Sequence, residues 1–272
     1  MTSSTDRGSR WRHAAALPLA VICLLPLAVM VGGSLRQVGL PPPRTPELLS
    51  WPIAWENYGR TADLVNLARL TLNSVIVALV AVPLTVLVAS WAGFAISRLP
   101  KSHARLLLGA SLVALMIPLT ALLVGRFTTF AWLALTDTFL PLVAPALIGT
   151  SPLYVLVYYW AFRRLPGELF EAARLEGHSP FQAWRQVGMP LVRPVTVAVA
   201  TLAFGISWGS FLEPLIYLFD PDLYTVPLGL RSLAQLDPTQ APLLLAGATI
   251  ATIPAAAAFL IAQRAFLRDI GL

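Results

Sequence analysis

Six apolar stretches, at 14–35, 72–96, 106–125, 140–162, 194–218 and 242–262, constrain this 272-residue chain more than any other feature. Each is near or above the length of about 20 residues that a helix needs to cross a bilayer. In lipid, backbone N–H and C=O groups must be bonded within their own segment, so helices are the expected solution. Charged residues make up 12% of the chain, against about a quarter in an ordinary soluble domain. The expected fold class is all-α: a polytopic membrane protein with six transmembrane helices forming a single membrane domain.

Charge sets the expected topology. Lys101 is the only lysine, and the basic residues fall in the segments between spans rather than in a run. A net charge of +6 therefore reads as a topology signal and not as nucleic-acid binding. With both termini inside, Arg7, Arg10, Arg12, Arg98, Lys101, Arg105, Arg163, Arg164, Arg174, Arg185, Arg193, Arg264 and Arg268 are cytoplasmic, 13 of the 19 basic residues. Arg36, Arg44, Arg60, Arg69, Arg126 and Arg231 are the 6 left outside. Residues 1–13 are then a cytoplasmic segment and 163–193 a cytoplasmic loop. The first span follows three arginines, as a secretory signal would, but its long apolar run and the lack of an Ala-x-Ala-like site favour its retention.

The segments between spans carry their own signals. Residues 36–69 include Pro41-Pro42-Pro43 with Trp51, Trp55 and Tyr58, an ordered outer loop with aromatics suited to the headgroup level. Residues 220–241 read as a second outer loop, and 136–141 as a short re-entrant or surface turn. Pro18, Pro26, Pro83, Pro118, Pro145, Pro152, Pro214 and Pro254 punctuate the spans, which fits either irregular packing or hinges. Gly93, Gly109, Gly205, Gly209 and Gly247 permit close helix contact. Cys23 is the single cysteine, so no disulfide forms within the chain.

The chemistry absent from the sequence is informative. No Gly-x4-Gly-Lys-Ser/Thr loop is present, so ATP is not hydrolysed by that route. His13, His103 and His178 all fall in inner segments, which leaves no histidine-based metal or nucleophilic site within the membrane. Glu213 is the one acid placed clearly within an apolar span, too little for a proton relay. A carboxylate facing lipid at a helix centre costs about 2.5–3.5 kcal/mol. Glu213 is thus expected to face a hydrated interface, a partner subunit or a solute. Trp208, five residues earlier, suits either stacking on a solute's ring or packing between helices.

The 163–193 loop is the sharpest motif. Glu171-Ala172-Ala173, three residues, Gly177, nine residues, then Val187-Gly188-Met189-Pro190 stand in an Arg-rich segment between two apolar spans. Pro166-Gly167 ends the preceding span, and 168–176 reads as a short amphipathic helix. Gly177 suits a turn with positive φ, and Ser179-Pro180 resembles an N-cap followed by the first helical position. A second helix is expected over 181–187, ending near Pro190.

This spacing resembles the EAA loop of ABC-importer permeases, with Val187 and Met189 in place of the family's Ile and Leu. Leu72-Asn73-Ser74, Ala92–Leu99, Met116-Ile117-Pro118, Leu135-Thr136-Asp137-Thr138 and Leu223–Leu230 also resemble elements of the carbohydrate-type permeases, the shorter six-span subunit of maltose-type transporters. At 208–214 the chain departs from the family pattern, and a carboxylate, Glu213, appears there. The resemblance implies a permease for a sugar, with a polyamine, phosphate or peptide importer, or a stand-alone facilitator or scaffold, as alternatives. It implies a second permease subunit, two ATPase subunits that bind ATP and Mg, and an extracytoplasmic solute-binding protein, in the cell membrane of a prokaryote. The chain itself would bind no cofactor and catalyse nothing. Glu171, Ala172, Ala173, Glu176, Gly177, Val187, Met189 and Pro190 would form the ATPase-coupling helix-turn-helix between helices 4 and 5, and Trp208 and Glu213 would lie on the translocation path.

Overall fold

The computed structural model describes residues 4–43 and 50–270. Residues 1–3 of the expected cytoplasmic segment and Arg44 of the first outer loop lie outside them, as do the side chains of Arg7, Arg10, Arg12, His13 and Arg268. The described residues form helices and no strand. In order these are α1 (Ser4–Ser34), α2 (Glu56–Leu64), α3 (Leu67–Arg98), α4 (Lys101–Met116), α5 (Leu123–Trp132), α6 (Leu140–Val143), α7 (Pro152–Arg163), α8 (Gly167–Leu175), α9 (Pro180–Gln182), α10 (Met189–Leu191), α11 (Arg193–Gly209), α12 (Leu212–Tyr217), α13 (Val226–Ala234) and α14 (Ala241–Ile270). Four segments are long and apolar enough to cross a membrane: Ala16–Ser34, Leu67–Arg98, Leu140–Arg163 and Pro238–Arg264. Two bent pairs, Lys101–Met116 with Thr120–Trp132 and Pro180–Leu191 with Arg193–Gly209, bring the number to as many as six. Leu17, Leu19, Val21 and Ile22 of α1 are exposed, as lipid-facing side chains are.

The spans are less continuous than the sequence predicts. The stretch expected at 106–125 bends by 81° where Ile117 goes extended (ψ 115°) ahead of Pro118, the backbone a residue before proline prefers. The stretch expected at 140–162 is a short α6 and a 3₁₀ turn, Ala144–Ile148. Gly149 and Thr150 follow with positive φ. Then α7 begins at Pro152, capped by Ser151. The stretch expected at 194–218 breaks at Ser210, and α12 starts anew at Leu212. Pro214 cannot donate to the carbonyl four residues back, which favours a break there. By contrast Pro18, Pro26, Pro83 and Pro254 lie inside continuous helices.

The two segments read as outer loops hold helices rather than loops alone. Helix α2 lies within 36–69, and α13 occupies 226–234 of the second segment, with Val226, Leu230 and Leu233 buried at helical spacing.

The chain divides into two compact units. One gathers the described residues up to Ala68 with Gly229–Ile253; the other holds Arg69–Leu228 and the chain beyond Pro254. In the first, Asn57 Nδ2 donates to the carbonyls of Ser34 (2.8 Å) and Arg36 (2.7 Å), satisfying acceptors at the end of α1. A Cβ at Gly247 would stand 2.4 Å from Leu230 Cδ2.

In the second unit Gly93 lets α3 and α7 touch: a Cβ there would lie 2.6 Å from Tyr158 Cβ and 2.8 Å from Tyr159 N. At Gly109, Gly205 and Gly209 no other described residue of the chain, the local helix aside, comes within 4 Å of a Cβ. Around this crossing Phe94, Tyr158, Phe162, Phe170, Trp184 and Val199 form the core. Asn73 Nδ2 donates to the carbonyls of Asp222 (2.8 Å) and Tyr224 (3.0 Å), and Ser74 Oγ accepts from Val226 N–H (2.9 Å). Two sequence elements some 150 residues apart, Asn73-Ser74 and the Tyr224–Pro227 turn, are thereby one structural feature. Deleting a partner in such a buried pair costs about 1–3 kcal/mol.

Candidate functional site

The 163–193 segment folds as two short helical pieces joined by a tight turn. Helix α8 ends with the His178 N–H bonded to the Ala173 carbonyl (3.0 Å) and the Gly177 N–H to the Arg174 carbonyl (3.1 Å). Gly177 sits at φ +84°, as this helix-ending motif requires. The next piece opens with a reciprocal cap: Ser179 Oγ accepts from Gln182 N–H (3.3 Å), and Gln182 Oε1 accepts from Ser179 N–H (2.7 Å). His178 Nδ1 donates to the Ala173 carbonyl at 3.2 Å, and its Nε2 lies 3.0 Å from the Gln186 side chain. The helix expected over 181–187 runs as α9, a π-helical stretch at Ala183–Gly188 and α10. It carries through Pro190 to Leu191 before bending by 86° into α11.

Helix α8 has two faces. Phe170 and Ala173 are buried in the core. The Arg98 guanidinium lies 3.6 Å from the Phe170 ring centroid and 5.4 Å from that of Phe94, and its Nη2 donates to the Phe162 carbonyl at 3.4 Å. The Phe94 ring lies 5.5 Å from Phe170 and 5.3 Å from Phe162, so α8 is seated on the ends of α3 and α7 at once. The opposite face presents Glu171, Ala172, Glu176 and Leu175, whose side chain is 89% exposed. Val187 and Met189 pack partly buried against the core, and Pro190 is exposed.

The second group of residues surrounds Glu213 on α12. Its Oε1 accepts from Arg126 Nη1 of α5 at 2.7 Å, with side-chain exposures of 25% and 20%. Arg126 Nη2 is buried without a partner, and the guanidinium stands 6.0 Å from the Tyr217 ring. A small cavity of ≈ 60 Å³ is lined by Thr85, Thr150, Ser207, Ser210 and Glu213. That is room for about four waters. A larger, open cleft of ≈ 610 Å³ is lined by Arg126, Thr129, Phe130 and Thr150, so that Thr150 is common to both. Asp137 fixes the end of α12, since its Oδ1 accepts from the N–H groups of Phe219 and Asp220, both at 2.9 Å. Trp208 is buried, stacks on Phe204 at 5.5 Å and lines neither cavity. Sequence reasoning paired Glu213 with Trp208; the structure pairs it with Arg126, which the charge count had assigned to topology alone.

Comparison with known proteins follows the same lines. Residues 69–271 match the family described as binding-protein-dependent transport system inner membrane component, and the chain belongs to that family. An arabinooligosaccharides transport system permease protein of Halalkalibacterium halodurans is 31% identical over 195 residues, 72% of this chain and 69% of the relative. A trehalose transport system permease protein of Mycobacterium tuberculosis is 30% identical over 222 residues, 80% of each chain. The fold is that of a chain in the crystal structure of a bacterial ABC transporter involved in the import of the acidic polysaccharide alginate: TM-score 0.76, 18% identity, covering 98% of this chain and 99% of that one.

The turn at Gly177 yields a direct prediction. A left-handed backbone costs an L-residue about 1–2 kcal/mol, and more when it is β-branched. Gly177→Val is expected to speed amide hydrogen exchange across 172–182, whereas Gly177→Asn, which tolerates this conformation, leaves it near the wild-type rate. Equal protection in both variants would contradict the role given to the turn.

Proposed function

We propose that this chain is the permease subunit of an ATP-driven ABC importer and forms one half of a translocation path for a sugar or sugar-like solute. Membership of the binding-protein-dependent family supports this, as does likeness to permeases named for arabinooligosaccharides and trehalose. The observation that carries it is the 167–191 segment: a short helix seated in the core on one face and bare on the other, where the EAA spacing falls. The chain works with an extracytoplasmic solute-binding protein, a second permease subunit and two ATPase subunits. ATP hydrolysis, with its Mg, belongs to the ATPases; this chain is not an enzyme. On this reading both termini and residues 163–193 are cytoplasmic, each bent helix pair serves as one span, and the domain is multi-pass in the cell membrane.

The mechanism follows from the two-faced helix. Glu171, Ala172, Ala173, Glu176 and Gly177, with Val187, Met189 and Pro190 behind them, form the coupling element, and Leu175 adds exposed apolar area for a partner. Closure of the ATPases displaces α8, and the Phe170 seat carries that displacement to the ends of α3 and α7. The path then switches between inward- and outward-facing arrangements as a rigid-body transition. Glu213, lining the smaller cavity, and Arg126, lining the larger cleft, stand on the path, where a matched pair offers a hydroxyl-rich solute both an acceptor and a donor. Trp208 holds the wall behind them through Phe204.

Two measurements test this. Glu171→Lys reverses the charge on the bare face of α8. It is expected to leave the amount of chain in membranes unchanged, to remove co-purifying ATPase and to lower binding-protein-dependent sugar uptake at least about tenfold, as loss of a charged pair at an interface does. Wild-type co-purification and uptake in that variant would refute docking at this face. Glu213→Gln keeps shape and removes charge. ATPase co-purification should persist while uptake falls at least about tenfold, given the cost of an uncompensated arginine in an apolar setting. Unchanged affinity and rate would make Glu213 an interfacial residue only.

A further inference from the structure

A second polar site lies apart from the path, where α3 meets α4. Helix α4 begins in an electrostatically unfavourable way. Its N-cap is Pro100, which offers no side-chain acceptor, and its first turn holds no acid. Amide N–H groups at a helix start carry partial positive charge, yet Lys101 occupies the first position and Arg105 follows one turn later. Arg163, at the end of α7, joins them around a cavity of ≈ 200 Å³ that Ser97, Leu99 and Tyr159 also line. Arg163 Nη1 donates to the Ser97 carbonyl at 3.4 Å, which leaves its remaining N–H groups unused. Among the described residues no carboxylate pairs with Lys101, Arg105 or Arg163.

Tyr159 supplies the second observation. Tyr159 is 9% exposed and lines the cavity, and its hydroxyl has no hydrogen-bond partner among the described residues. That hydroxyl is not among the sealed, unpartnered polar atoms of the described residues, so it reaches accessible space and is free to donate to an occupant of the cavity. Three cations, one hydroxyl free to donate and an uncapped helix start face the cavity, and no carboxylate stands among its lining residues. That set fits a phosphate oxyanion. The surroundings fit a lipid: Leu99, Leu106 and Leu107 are exposed beside the basic residues, at the end of membrane-spanning helices, where basic pockets hold acidic headgroups.

We propose that Lys101, Arg105, Tyr159 and Arg163, with the first turn of α4, bind the phosphate of an anionic glycerophospholipid in the cytoplasmic leaflet, the leaflet following from the topology given above. Bound there, the lipid would satisfy the Tyr159 hydroxyl and neutralise the charge stacked on the helix start, bracing the α3–α4 corner. A zwitterionic lipid, with its compensating cation, suits three positive charges poorly.

The test is native mass spectrometry of the purified full-length chain titrated in detergent with phosphatidylglycerol or phosphatidylcholine, with inorganic phosphate as a separate arm. One phosphatidylglycerol per chain is expected, held at least about 10-fold more tightly than phosphatidylcholine. The triple variant K101Q/R105Q/R163Q should bind it about 100-fold more weakly, since each surface charge contributes a factor of about five. Tyr159→Phe, which leaves charge untouched, should weaken it about 5-fold, the loss of one hydrogen bond. Equal retention of the two lipids, or unchanged retention in the triple variant, overturns the proposal. If the triple variant fails to reach the membrane, Tyr159→Phe decides, and unchanged retention there overturns it equally. Inorganic phosphate bound with this residue dependence, without retained phosphatidylglycerol, would assign the site to a free anion and refute the lipid.

Discussion

The seating of Phe170 beneath Arg98 is the contact on which the proposed function depends. A helix of nine residues such as α8 is too short to persist in water on its own propensity, so its order comes from tertiary contact. Ala173, buried in the core, and the turn at Gly177 share in that contact, and Phe170 adds to it by entering a cluster with Phe94 and Phe162, closed above by the Arg98 guanidinium at 3.6 Å. Truncating such a ring costs about 3–5 kcal/mol. The same contact that orders α8 ties it to α3 and α7, and the close crossing at Gly93 ties those two helices to each other. Force applied to the bare face therefore has a stiff route inward, because packed cores transmit displacement rather than absorb it.

Backbone polar groups set a second constraint. Breaks in apolar segments free N–H and C=O groups that a membrane cannot solvate, and here the breaks come with partners. Ser151 caps α7, and Asp137 receives the N–H groups beyond α12. Asn73 and Ser74 serve the turn at 222–226. These tethers allow α5, α6 and α12 to be short pieces around Glu213 and Arg126 rather than parts of straight spans.

Much of this was legible in the sequence, and the division has a physical basis. The helix-turn-helix at 167–191 was readable because its determinants are local: Gly177 for a left-handed residue and Ser179-Pro180 for the cap, although the reciprocal bond to Gln182 came only with the structure. The all-α class followed from the length and apolarity of the stretches. Prolines marked where breaks were possible, but residue type alone could not separate Pro118 and Pro214, beside interruptions, from Pro83 and Pro254, inside continuous helices. Helix α13 was hidden by the prolines and aspartates around it, although Val226, Leu230 and Leu233 have helical spacing. The Arg126–Glu213 pair joins residues 87 positions apart, and only the folded chain brings them together. Charge counting placed Arg126 outside, where an unpaired arginine needs no explanation. The signal available was that Glu213 in an apolar span required a cation somewhere.

The account holds that α8 both docks a partner and levers the path, and that these two actions are separable. The most direct measurement is the number of sugar molecules imported per ATP hydrolysed by the reconstituted complex carrying Phe170→Ala. That change empties the seat, while buried Ala173 and the bonds that close the turn at Gly177 still hold α8 with Glu171 and Leu175 on its bare face. The account predicts that ATPase subunits remain bound and hydrolysis continues, while sugar imported per ATP falls at least about tenfold, as expected where the displaced element loses a core contact worth a few kcal/mol. An unchanged ratio of sugar to ATP in a complex that lacks the Phe170 ring would contradict it.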